Sequence, residues 1–140
     1  MRSTVRNSRQ HKVFIDANTL LSGLFFEGPE STLLKIGILG QIRLVTCDFV
    51  VKEVRTIIRR KFSGAENHFD DIISIMTVLP TEKDELRRGL IRDRKDAPIL
   101  ATALKYKPDY FVTGDKEFHT PEIKKLLNVV KTRNLLDRIL

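Results

Sequence analysis

The chain has little of what several protein classes require. Among its 140 residues there is one cysteine, Cys47, and no tryptophan. A single thiol excludes an internal disulfide and a thiolate metal cluster, and it suits a reducing cytoplasm. No apolar run reaches the roughly 20 residues of a membrane helix. The longest stretch, over 19–26, is interrupted by Ser22 and Gly23. Residues 1–11 are basic and hold no apolar segment, so they do not read as a secretory signal. Neither a phosphate-cradling loop nor a dinucleotide fingerprint is present, because Gly37, Gly40 and Gly114 stand in the wrong contexts. His11, His68 and His119 lack the spacing of a zinc motif. Ser22 and Ser31 have no nucleophile-elbow frame, which argues against a hydrolase triad.

Internal repeats, low-complexity segments and linkers are also missing, and the length fits one domain. With 41% hydrophobic and 31% charged residues, the composition is that of an ordinary globular chain with a core of its own. The net charge of +7 suggests a polyanionic partner. Four of the bases, Arg2, Arg6, Arg9 and Lys12, precede the first acid. The remainder is only mildly basic. The division expected is a basic tail over 1–11 and a single domain over 12–140.

The segments alternate in type. Strands are predicted over 12–16, 42–46, 77–80, 109–114 and 129–131. Helices are predicted over 29–40, from Asp48 to about 62, after the break at Gly64 to about 76, weakly over 82–90, and over 96–105, 121–127 and 134–140. Pro98 falls in the first turn of its helix, where proline is tolerated. Strands alternating with helices imply βαβ units and a parallel sheet covered on both faces. In such sheets ligands bind beyond the carboxyl ends of the strands.

Acids stand at those places. Asp16 follows Val13-Phe14-Ile15, and Asp115 follows Phe111-Val112-Thr113-Gly114. Each taken alone is explained as well by capping the next helix. Glu53 lies on a helix whose apolar stripe is Val50, Val54, Ile57 and Ile58, with Lys52, Arg55, Thr56 and Arg59 opposite. Its angular position puts it at the border of the buried stripe, where a carboxylate needs a partner such as Arg60, a metal or water. Asp96 heads the buried face carried by Ile99, Leu100 and Ala103. Asp93 lies three residues earlier among Arg92, Arg94 and Lys95, and a plain ion-pair cluster explains it equally. Gathered at one sheet edge, these carboxylates would repel one another unless a cation offset them. All-oxygen ligands suit Mg²⁺ or Mn²⁺.

The ordered segments VFIDANTLLSG, VVKEV, RDRKDAPILATAL and DYFVTGDKEF resemble the PIN-domain nucleases from residue 12 to about 133. The likeness is to the prokaryotic single-domain group that includes VapC-like toxins of toxin–antitoxin pairs. It implies a three-layer α/β/α sandwich around a central parallel sheet of about five strands. It also implies that Asp16, Glu53, Asp96 and Asp115 are the catalytic, metal-holding acids. Asp93 matches an additional metal ligand, and Asn18, Thr113, Ser22 and Glu117 match supporting positions. Mg²⁺ or Mn²⁺ and an RNA substrate follow from the resemblance, as do a small antitoxin partner and a homodimer. Arg92, Arg94, Lys95 and Lys116 are placed to hold neighbouring phosphates, or else form a solvated surface. Phe25, Phe26 and Phe118 are the candidates for base stacking or a dimer contact, with core packing as the default.

Three functions are therefore expected to compete. One is a divalent-metal-dependent ribonuclease. Another is a fold of the same kind that binds RNA or protein without turnover. The third is a small-molecule phosphohydrolase with Asp16 as nucleophile.

Overall fold

A computed structural model describes residues 10–83 and 89–140. The basic tail up to residue 9 and most of the helix expected over 82–90 lie outside the described residues. In chain order the elements are β1 (His11–Ile15), α1 (Ala17–Phe25), α2 (Pro29–Ile38), β2 (Ile42–Cys47), α3 (Asp48–Lys61), α4 (Glu66–Ser74) and β3 (Thr77–Leu79). There follow α5 (Asp96–Tyr106), β4 (Tyr110–Val112), a 3₁₀ turn (Lys116–Phe118), α6 (Pro121–Lys124), β5 (Val129–Val130) and α7 (Thr132–Ile139).

The five strands form one sheet in the order β3-β2-β1-β4-β5, and every neighbouring pair is parallel. Val13, Phe14 and Ile15 of β1 are all fully buried, as are Leu44, Val45 and Cys47 of β2. Consecutive burial rather than alternation means that both faces of the sheet are covered, which gives the three-layer α/β/α arrangement. The chain steps from β1 to β2 to β3, then returns to the far side of β1 for β4. Right-handed crossovers on such a path put α5 on the face opposite α1–α4. The direction reverses between β1 and β4, so the crevice of this fold opens between their carboxyl ends.

Helix α3 shows how the sequence sets its own orientation. Val50, Val54 and Ile58 are fully buried while Lys52, Thr56 and Arg59 are exposed. Asp48 in its first turn and Arg59, Arg60 and Lys61 in its last complement the helix dipole. Arg55 pairs with Asp70 at 2.9 Å and Arg59 with Glu66 at 2.8 Å, tying α3 to α4. These solvated pairs fix geometry more than they add stability.

The helix α1 has no counterpart among the predicted elements. Ser22 and Gly23 break the pattern there, yet the helix runs through both. A β-carbon at Gly23 would stand 2.6 Å from the Leu34 side chain and 2.8 Å from the Glu30 carbonyl oxygen. The missing side chain is what lets α1 and α2 cross so closely. The strands expected over 12–16 and 109–114 are His11–Ile15 and Tyr110–Val112, so Asp16, Thr113, Gly114 and Asp115 all follow strand ends. No helix among the described residues is long and apolar enough to cross a membrane.

Candidate active site

A buried polar contact between residues far apart in sequence lies at the junction of β1 and β4. Ile15 is in register with Val112, which sets Asp16 and Thr113 side by side just past the two strands. Asp16 is 8% exposed, and one of its carboxylate oxygens accepts the Thr19 amide at 2.9 Å, capping α1. The other oxygen accepts the hydroxyl of Thr113. The same hydroxyl oxygen accepts the Asp115 amide at 3.0 Å. Asp115 in turn caps the 3₁₀ turn, with Oδ1 accepting the Glu117 amide at 3.0 Å. His119 Nε2 donates to the Thr113 carbonyl oxygen at 2.8 Å and closes the loop back on the strand. From the other side Thr46, fully buried at the end of β2, donates to the Ile15 carbonyl at 2.9 Å.

Capping and clustering are therefore not rival explanations. Asp16 and Asp115 each use one oxygen on a backbone amide, and that bond holds the carboxylate in place. Thr19, Thr46 and His119 complete the scaffold. None was legible as such in the sequence. Thr46 reads as an ordinary β-former, and His119 as a loop histidine without the spacing of a zinc motif.

The third group of acids stands at the start of α5. Asp93 accepts the Lys95 amide on its carboxylate at 2.9 Å, and its carbonyl accepts the amides of Asp96 and Ala97 at 3.0 and 3.2 Å. This turn opens the helix and presents Asp96. Burial pushes the Asp96 carboxyl up to about 7, reinforced by the charges of Asp93, Asp115, Glu117 and Asp16. A helix N-terminus favours an anion, but desolvation and four neighbouring acids outweigh it. Three segments thus carry the five acids: Asp16 follows β1, Asp93 and Asp96 open α5, and Asp115 and Glu117 follow β4.

The remaining candidates sort around this centre. Glu53 lies on the second turn of α3 and is exposed, beyond the border position expected from helical angles. It is not among the charges that act on Asp96. Asn18 is exposed on the first turn of α1, and Ser22, one turn on, is half-buried. Arg92, Arg94, Lys95 and Lys116 are all exposed, and none joins the ion pairs found among the described residues. Of the aromatic candidates, Phe25 stacks on Phe62 at 4.0 Å, and Phe118 is buried against Phe111 at 4.9 Å. Only Phe26, 64% exposed, remains open to a partner. In α2, Leu33, Leu34 and Ile36 are core residues, whereas Ile38 is exposed.

The donors are hard oxygens, the kind that Mg²⁺ and Mn²⁺ take. Among the described residues no three acid, histidine or cysteine side chains stand together as a ready-made cage. What fits a divalent cation is the donor chemistry, since carboxylates brought near one another are stabilised by a cation.

A doubly wound α/β/α domain with acids from several segments at its topological switch point defines a class of protein before any comparison is made. The PIN domain family model matches residues 12–117, and the chain belongs to this family. Its members are generally metal-dependent nucleases. No curated protein matches the chain. Among solved structures, VapBC2 from Rickettsia felis, bound to a DNA fragment from their promoter, superimposes with a TM-score of 0.62 at 13% identity. That match covers 86% of this chain and 98% of the other. PAE2754 from Pyrobaculum aerophilum gives a TM-score of 0.62 at 15% identity, covering 92% of this chain and 95% of the other. At such identities the likeness is one of fold.

Proposed function

We propose that the chain is a divalent-metal-dependent ribonuclease that hydrolyses RNA phosphodiester bonds at the β1–β4 junction. The observation that carries this reading is that Thr113 joins Asp16 and Asp115 just beyond β1 and β4, at the switch point of a PIN-family fold. Asp16, Asp96 and Asp115 would hold Mg²⁺ or Mn²⁺, with Asp93 and Glu53 as further ligands. When bound, the cation supplies charge screening for the phosphodiester, a water of lowered pKa and a counter-charge for the leaving oxygen.

The chain's own residues set the geometry. Thr113 and the Thr19 amide orient Asp16. The Asp115 carboxylate is oriented by the Glu117 amide. Asn18 and Ser22 line the first turns of α1 on the same edge. Arg92, Arg94, Lys95 and Lys116 are exposed cations in the segments that carry Asp93, Asp96 and Asp115, and hold phosphates on either side of the cut.

The family supports a role as the toxin of a toxin–antitoxin pair, with a small antitoxin protein as partner. The fold likeness to VapBC2 is consistent with that pairing. Self-association is proposed at the exposed Phe26 and Ile38, and the site of action is proposed to be the cytoplasm. The absence of a ready-made cage among the described residues favours a second reading, a binding module without turnover.

Cleavage of labelled RNA with Mn²⁺ or Mg²⁺, beside EDTA and an Asp16→Asn control, separates the two. The nuclease reading expects metal-dependent cutting that falls about a hundredfold or more in the variant. RNA binding without cutting by either protein would establish the module instead.

A further inference from the structure

A cavity of about 650 Å³ adjoins the acids, lined by Gly89, Leu90, Ile91, Arg92, Glu117 and Thr120. Its size lies within the usual range for small-ligand clefts, about 300–1,000 Å³. Two charges of opposite sign face into it. Glu117 belongs to this lining and its amide is held by the Asp115 carboxylate, so the cleft borders the candidate site. Arg92 directly precedes Asp93. Between them Leu90 and Ile91 give an apolar wall. The Glu117 and Thr120 side is held by hydrogen bonds, since the Glu117 amide is fixed by Asp115 and the Thr120 hydroxyl caps α6.

A phosphate alone does not suit this lining, because Glu117 would repel it. A nucleotide does. Its phosphate matches Arg92, its ring face matches Leu90, and an amino group on its edge matches the Glu117 carboxylate, which only accepts. In an A-form RNA duplex that amino edge lies in a deep, narrow groove that side chains do not enter, so the base must be unpaired. We infer that this cleft holds an unpaired base flanking the cut, and that Glu117 selects cytosine over uracil by accepting from the 4-amino group. Uracil presents a carbonyl oxygen at that position, and two acceptors repel. The inference rests on reading the neighbouring acids as a phosphodiester-cleaving site.

The test is fluorescence anisotropy with labelled five-nucleotide oligocytidine and oligouridine, which are of equal size and charge. The ratio of affinities is the readout, since removing a carboxylate also strengthens all RNA binding. The wild type should prefer oligocytidine by about tenfold, the discrimination of one good edge contact. Glu117→Ala should reduce the ratio to within twofold of unity. Arg92→Ala should weaken both ligands and leave the ratio. Glu122→Ala, an exposed acid outside the cleft, removes the same charge and should leave the ratio unchanged. Equal binding of the two oligomers by the wild type, no binding of either, or a ratio that survives Glu117→Ala would overturn the assignment. Selective binding without metal-dependent cleavage would overturn the nuclease reading and support the cleft. Cleavage without selectivity would overturn the cleft alone.

Discussion

The hydroxyl of Thr113 donates to the carboxylate of Asp16 across 97 residues of sequence, joining the ends of β1 and β4. Thr113 also accepts the Asp115 amide, so one buried side chain positions two acids. Thr113→Val keeps the shape and removes both bonds. It is expected to lower stability by about 1–3 kcal/mol, the usual consequence of orphaned buried polar groups. Metal-dependent cleavage should fall about 10–100-fold, whereas Thr113→Ser should retain most of both. Urea unfolding and initial cleavage rates check this.

Asp96 makes stability depend on pH in a defined direction. Its carboxyl lies at about 7 in the folded chain, against an ordinary value of 3.8. Between these values the folded state holds a proton that the unfolded state has released. Stability from this group is therefore complete below about 4, declines as pH rises, and is fully lost above about 7. Asp48, held low chiefly by the Thr81 hydroxyl, acts in the opposite sense and only at more acidic pH. In EDTA, the urea midpoint should drop between pH 5 and pH 8 for the wild type and drop less for Asp96→Asn. Added Mn²⁺ should restore the wild type at pH 8 and not the variant.

Gly23→Ala opposes two effects. Alanine gains about 1 kcal/mol of helix propensity over glycine. Its methyl would press on Leu34 and, at 2.8 Å, on the Glu30 backbone oxygen, which does not move aside easily. Overpacking of this kind costs about 1–3 kcal/mol. Net destabilisation is expected, read as a lower thermal midpoint, and a higher midpoint would mean that α1 and α2 separate readily.

If Lys116 contacts a phosphate, Lys116→Ala should weaken RNA binding uniformly across sequences. It should also reduce the slope of log affinity against log salt by about 0.7, the value for one phosphate on a single strand. An unchanged slope would assign the residue to solvated surface.

The legible part of this fold was the local part. Val13-Phe14-Ile15 followed by an acid announces a buried strand and its exit, and the apolar stripe of α3 announces its buried face. Helix α1 was not legible because Gly23 reads as a breaker until its neighbour Leu34 is known. Helical angles placed Glu53 at a border, but they do not show where the wet side begins, and the residue is exposed. The acids beyond β1 and β4 could be named from their positions after strands. Their neighbours Thr46 and His119 could not, because each acts on a backbone carbonyl brought close only by folding.

The central claim is that the gathered acids form a divalent-cation site. Calorimetric titration of the metal-free chain with Mn²⁺ tests it most directly. One saturable binding event is predicted in the wild type, lost in Asp16→Asn and Asp96→Asn and retained in Glu122→Gln. Binding of equal strength in Asp16→Asn, or no saturable binding in the wild type, would contradict it.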